Sequence, residues 1–423
     1  MSEAEGVRRR RPEGEASESK PEDLGGQGAP RQRKRKLKKP TPASKCRALC
    51  GKVVYTSLLV GLALTIVVIL KSSPVEPEGF SLPPPRPFTG PLAVNNKLQQ
   101  AKKLLDGKVI GPESLAYRDG YIYTGTYDGK VIRIKNEKDI EVLAKLGTPP
   151  CGSRERETKC GRPLGIKFID DKLYMMDAYF GLFEIDITNK SLPIELLSTQ
   201  RTYKGHSIKF ANDFERLENG DFIFTDSSYR KYRKDYGQLV MESKGCGRLI
   251  WYNPVNKISD LALEKLHFPN GIQISPNKDF LLIAETTRYR ILKYFLTGPK
   301  TGSTEVFIDN LPGMPDNIRP SRSGGYWVGL AFASSRQGLI TMDLLAPLPW
   351  LRNIIAKFID PTAVAPYLPQ YGLIIELNQE GEIVQSLHDP TGKVVQSVSE
   401  VLDTGSALYL GSYHAPHLLK LDV

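Results

Sequence analysis

The stretch GPESLAYRDGYIYTGTYDGKVIRI, residues 111–134, reads as three short strands joined by two tight turns. Apolar and aromatic side chains alternate with polar ones in each segment, the period-two pattern of a half-buried strand. The Asp-Gly pairs at 119–120 and 128–129 suit the left-handed backbone of a tight hairpin.

The same theme returns with different letters. It recurs as GRPLGIKFIDDKLYMMDAYFGLFEIDI (161–187), NDFERLENGDFIFTDSS (212–228), PNGIQISPNKDFLLIAETTRYRILKYF (269–295) and PDNIRPSRSGGYWVGLAFA (315–333). A last unit spans 371–421. Strand units that recur roughly every fifty residues suggest propeller blades, because a single sandwich of this length would be unusually large. The expectation is an all-β, six-bladed β-propeller over residues 93–423. One apolar interruption, MDLLAPLPWLRNIIA (342–356), reads as a short helix pair on the rim that packs there, shields a mouth or touches a membrane.

The chain before the propeller is of another kind. Residues 53–70, VVYTSLLVGLALTIVVIL, carry no charge. As a helix they span about 27 Å, close to the hydrocarbon thickness of a bilayer. Fifteen Lys or Arg against seven Asp or Glu precede them, so residues 1–52 hold +8 of the formal +11. The basic flank predicts a retained signal-anchor with a cytosolic tail and an exported propeller, a single-pass type II protein of the plasma membrane or endoplasmic reticulum. A cleaved signal peptide fits poorly, since the polar leader is too long and no small-residue cleavage pattern follows. The tail lacks the apolar content to fold and reads as disordered. Its RQRKRKLKK run (31–39) suits anionic lipid at the bilayer surface; nucleic acid is not expected, because the charge is confined to this tail. Residues 71–92 are proline-rich and read as an extended stalk. Residues 95–104 (NNKLQQAKKL) read as one or two helical turns.

Cys151 and Cys160 fall in a polar loop of the exported part, where an oxidising lumen favours a disulfide. Zinc is disfavoured there, because no His or further Cys stands nearby. Asn189-Lys190-Ser191 is an N-glycosylation sequon.

The chemistry lies in what opens each unit. Glu113 (GPES), Asn212 and Asp213 (FAND), Asn270 (FPNG), and Asp316 and Asn317 (MPDN) each directly precede an apolar strand. Taken singly, such residues merely cap turns. In one shared register they would converge at one end of a propeller tunnel, and such a ring of oxygens suits calcium. His206, His414 and Asp213 are the candidate bases. No GxSxG elbow supports serine chemistry.

Together these motifs resemble the strictosidine synthase-like six-bladed propellers, relatives of the paraoxonases and of the gluconolactonase and regucalcin group. The resemblance implies a tunnel calcium held by Glu113, Asn212, Asn270, Asp316 and Asn317. It also implies weak arylesterase activity on small apolar esters. The pattern departs in two places. Leu164 stands in RPLG where paraoxonases carry a histidine, and Asp177 or Ala178 stands where its partner would fall. Glu400 lies one position off the glutamate expected of strictosidine synthase, which disfavours that condensation. The competing expectation is a non-catalytic, calcium-stabilised propeller that presents a surface to a protein partner.

Overall fold

The computed structural model describes residues 41–188, 192–333, 342–367 and 371–423. The chain divides into two compact units, Met1–Thr65 and Ile66–Val423. The larger unit contains six four-stranded antiparallel sheets and is a six-bladed β-propeller. The inner strands of blades 1 to 6 are Leu115–Arg118, Pro163–Ile169, Ala211–Arg216, Pro269–Ile274, Gly313–Pro320 and Glu400–Asp403. Each touches the inner strand of the next blade, and the sixth touches the first, so the ring closes around a tunnel. The final blade is completed from the other end of the chain. Lys102–Leu104 pairs antiparallel with Leu418–Asp422, which leaves neither terminus with a free edge at the seam.

The alternation that marks each strand is realised as packing between adjacent blades. Leu282, Ile291, Ile318, Val328 and Ile375 meet in one such layer, all fully buried. Each side chain of this kind contributes roughly 1.5–3 kcal/mol when removed from water.

Strand order also fixes a functional face. In every blade the chain runs antiparallel from the inside outward. The connection from second to third strand therefore emerges at the end where the inner strand begins. In blade 3 that connection (227–246) holds the helix Tyr236–Glu242. In blade 5 it is the insertion 334–371, with helices Met342–Leu345, Pro349–Phe358 and Pro361–Val364. The two pack together: Gly237 N donates to Thr362 Oγ1 at 3.0 Å, and Arg352 Nη1 to Met241 O at 2.8 Å.

Three sequence expectations change. The unit read as 371–421 is split, because Gly372–Leu377 and Ile383–Asp389 complete blade 5 beyond its insertion. Lys102–Leu104, read as the end of a helical segment, is the closing strand, and only Lys97–Gln100 forms a helical turn before it. The proline-rich stalk is extended but not free: Val75 and Leu92 are buried, and Glu78 N donates to Glu242 O at 2.9 Å.

The smaller unit contains most of the helix Pro42–Leu70. Its stretch Lys45–Leu70, of mean hydropathy 2.6, is long and apolar enough to cross a bilayer. Cys46 and Cys50 are exposed on this helix. The sequon Asn189 lies outside the described residues.

Candidate metal centre and active site

A recurrent irregularity builds the site. The inner strands of blades 2 to 5 each slip register at their start, between Pro163 and Ile166, Ala211 and Phe214, Pro269 and Ile272, and Pro315 and Ile318. An extra residue in one strand twists it and turns side chains off the ladder. The first bulged residues are Leu164, Asn212, Asn270 and Asp316. Glu113 and Ser399 take the corresponding place in blades 1 and 6, two residues and one residue before their inner strands. Four of these six positions therefore present side-chain oxygens suited to a cation.

The second position forms a deeper layer of Ser114, Gly165, Asp213, Gly271, Asn317 and Glu400. Two glycines here make room for neighbours. A Cβ at Gly165 would meet Asp213 Oδ1 at 2.6 Å, and one at Gly271 would meet Asn317 Oδ1 at 2.6 Å.

The hydrogen bonds of the three asparagines, Asn212 and Asn270 in the upper layer and Asn317 in the deeper one, are one-sided. Asn212 Nδ2 donates to Ser227 Oγ at 3.0 Å, Asn270 Nδ2 to Thr286 Oγ1 at 3.2 Å, and Asn317 Nδ2 to Glu113 Oε1 at 3.0 Å. The hydroxyls are themselves committed onward: Ser227 Oγ donates to Pro269 O and Thr286 Oγ1 to Pro315 O, each at 2.7 Å. Asn212 and Asn270 are thus pinned by their nitrogens to the residue that follows the second strand of their blade, and Asn317 to Glu113 across the tunnel mouth. Among the described residues, Glu113 Oε2, Asn212 Oδ1, Asn270 Oδ1 and Asn317 Oδ1 are buried and meet no hydrogen-bond partner. Such an oxygen costs about 1–3 kcal/mol if it stays unpaired. Burial and the nearby Glu400 push the Glu113 carboxyl up to about 7; burial, Glu113 and Glu400 raise that of Asp316 well above its ordinary range. Two repelling carboxylates and three amide oxygens form a donor set that fits a hard dication. Among the described residues no group of three His, Cys, Asp or Glu forms an alternative metal site.

Below the ring lies an ion-pair layer without free groups on its acids. Arg319 Nη1 donates to Asp213 Oδ2 at 2.9 Å, and Arg319 Nη2 lies 2.6 Å from Glu400 Oε2. Ser114 Oγ and Leu115 N also donate to Glu400, at 2.7 and 2.6 Å. Asp213 receives Phe214 N and Ile272 N as well, both at 3.0 Å. Burial pushes the Asp213 carboxyl up, but Arg319, Lys167 and the Ile272 amide outweigh it and hold it below the ordinary range. Asp213 is thus a fully engaged anion, ill suited to take a proton from substrate or water.

Above the ring, aromatic and cationic groups close the mouth. Leu164, Tyr179, Phe210, Leu239 and Phe268 form one buried cluster, with Tyr229 and Tyr236 against it. Arg233 Nη1 pairs with Glu157 Oε1 at 2.6 Å, and Tyr179 OH donates to Glu157 Oε2 at 2.7 Å. Arg162 is wholly buried, its Nη2 donating to Gly111 O at 2.8 Å and Tyr413 O at 3.2 Å while Nε and Nη1 have no partner among the described residues. Burial, followed by the Arg233 charge, lowers its guanidinium to about 10. The Cys151–Cys160 disulfide, with Cα atoms 5.7 Å apart, ties the loop just before Arg162.

In sequence the chain resembles two models over parts of its length: strictosidine synthase-like, N-terminal, at residues 90–134, and strictosidine synthase at 212–299. An adipocyte plasma membrane-associated protein of Danio rerio is 42% identical over 380 residues, covering 88% of this chain and 91% of the relative. That of Homo sapiens is 37% identical over 436 residues, covering 100% and 99%. The chain belongs to the adipocyte plasma membrane-associated protein family. A gluconolactonase from Xanthomonas campestris shares the fold at TM-score 0.51 and 16% identity, over 82% of this chain and 98% of that one.

The two histidine candidates separate. His206 is exposed on a two-stranded ribbon and stacks on Tyr229, ring centroids 4.5 Å apart. His414 lies between the second and third strands of blade 6, on the functional face, beside Tyr413. Its Nδ1 is buried without a partner among the described residues, and burial with the Arg233 and His417 charges lowers the imidazole to about 4. Sequence reasoning missed Arg162, Arg233 and Arg319. A lone arginine in a loop (Arg162), a helical turn (Arg233) or a strand (Arg319) has no distinctive spacing, and their partners come from distant parts of the chain.

Proposed function

We propose that this family member is a membrane-anchored, calcium-dependent, arylesterase-like hydrolase of small carboxylic esters. The observation that carries the reading is the four buried oxygens of Glu113, Asn212, Asn270 and Asn317 that lack a partner, joined by the raised carboxyl of Asp316. These five residues would hold calcium. Bound there, the ion supplies a Lewis acid for an ester carbonyl.

The chain's own groups supply the rest. His414 is neutral at physiological pH and accepts the proton of an attacking water on its unpaired ring nitrogen. Arg162 offers two unpaired N–H groups to developing negative charge. The Tyr179, Phe210, Leu239 and Phe268 cluster seats an apolar group and excludes water. Ring side chains are no more than 5% exposed, so substrate enters when the Tyr236–Glu242 cover moves. Asp213 and Glu400 act as positioning residues through Arg319. The disulfide supports an exported propeller.

The buried ring and Leu164 in place of a histidine favour a second reading, a calcium-stabilised binding module without turnover. Phenyl acetate hydrolysis by the detergent-solubilised full chain separates the two. The hydrolase reading expects turnover above a heat-denatured control, with kcat lowered at least tenfold in His414→Gln and KM little changed. No turnover from folded, calcium-loaded protein would leave the binding module.

A further inference from the structure

The insertion of blade 5 wears its apolar side outward. In the helix Pro349–Phe358, Arg352 and Ala356 face the propeller and are buried. Trp350, Ile354 and Phe358, four residues apart, form the opposite stripe; Trp350 is 61% and Phe358 49% exposed, and Ile354 between them is half-buried. Ile359 and Tyr367 extend the exposed apolar surface. Solvent-facing helices are ordinarily polar, so this face requires a partner.

The chain itself specifies which partner is within reach. Asn353 O accepts from Ser73 Oγ at 3.4 Å, and Asn353 Nδ2 donates to Val75 O at 3.1 Å. Lys71 Nζ stands 4.7 Å over the Phe358 ring, and Lys357 Nζ donates to Val68 O at 2.7 Å. Three residues of extended chain cover at most about 11 Å, so the helix cannot leave the neighbourhood of Leu70, where the apolar span ends. Beside the stripe lies a groove of about 580 Å³ lined by Glu76, Glu78, Lys244, Trp350 and Ile354. Exposed Trp beside Lys, with polar groups at the margin, is the chemistry of a bilayer interface.

We propose that Pro349–Phe358 docks into the headgroup region of the bilayer and brings the tunnel mouth to lipid, making bilayer-dissolved carboxylic esters the substrate class. The mechanical link is short. The same helix holds the mouth cover through Arg352 and Met241 O, and Pro361–Val364 holds it through Thr362 and Gly237. The substrate half of the inference rests on the hydrolase reading above; the docking half does not.

The full chain is reconstituted in phosphatidylcholine vesicles carrying brominated acyl chains, and Trp350 is read as the difference between wild type and Trp350→Phe. Docking predicts strong quenching by bromines near the headgroups, weaker quenching by bromines at the chain ends, and little by aqueous iodide. Ile354→Asp loses the bromine quenching. Iodide quenching without bromine quenching overturns docking, as does shielding from both, which would mean a second copy or another protein on this face. In the same vesicles, Ile354→Asp should slow hydrolysis of a long-chain 4-nitrophenyl ester at least fivefold and leave water-soluble phenyl acetate unchanged. Equal slowing of both overturns delivery from lipid. If wild type turns over neither ester, the hydrolase reading and the substrate class fall together, while quenching still decides docking.

Discussion

In the proposed calcium site, Asn270 would work through an oxygen that makes no hydrogen bond to the described residues. Its nitrogen is fixed to Thr286, which aims the oxygen where no protein donor meets it. Asn270→Leu should abolish the rise in Tm that calcium gives the wild-type protein, read by thermal unfolding with and without chelator. Arg319 makes the opposite case. Arg319→Met strands the buried Asp213 and Glu400 charges and should cost about 3–5 kcal/mol in urea unfolding. Buried His388 gives a pH test remote from the ring. Tyr371 OH and Ser386 Oγ each lie 2.8 Å from its ring nitrogens, and burial lowers it from 6.5 to about 4. Between those values the unfolded chain binds the proton and the folded chain does not. Stability is therefore full above pH 6.5 and falls as pH drops toward 4, by up to about 3 kcal/mol. His388→Gln should flatten that part of the acid-unfolding profile. In sequence, Glu113, Asn212, Asn270 and Asp316 were legible because each polar residue abuts an apolar strand. The pairing of Arg319 with Asp213 and Glu400 was not, since it joins residues more than 80 positions apart.

Among elements, the strand pattern carried the fold because every blade holds short β-branched and aromatic runs, alternating or continuously apolar, separated by Gly-, Asn- or Asp-containing turns. It failed where an element is short or interrupted. Lys102–Leu104 has three residues and no alternation to read, and the long insertion hid that Gly372–Leu377 belongs to blade 5. The closing strand has a direct test. A chain beginning after Leu104 leaves Leu418–Asp422 as a bare edge and should aggregate on heating at lower temperature than one beginning at residue 93, by light scattering. The disulfide loop is a second. Replacing Cys151 and Cys160 by alanine should cost about 2–3 kcal/mol, the loop-closure value for a short loop, measured by urea unfolding.

At the scale of the whole molecule, three features converge on one face. Inside-out strand order puts the ring, the Tyr236–Glu242 cover and the blade 5 insertion at the same end of the tunnel. The apolar helix Pro42–Leu70 supports a single-pass membrane protein, and the net charge sits mostly in the tail before it. A basic tail, an apolar span and a nearly neutral propeller were each visible as composition. The docking of the stalk onto the propeller was not, because a proline-rich segment reads as extended whether or not it packs. The central claim is that the ring holds calcium and that the ion is needed for ester hydrolysis. Its most direct test is phenyl acetate turnover by the full chain in detergent, titrated from chelator into excess calcium, with circular dichroism followed in the same samples. Turnover should rise and saturate with calcium while the β signal stays constant. Turnover indifferent to calcium, or none in folded and calcium-saturated protein, would contradict it.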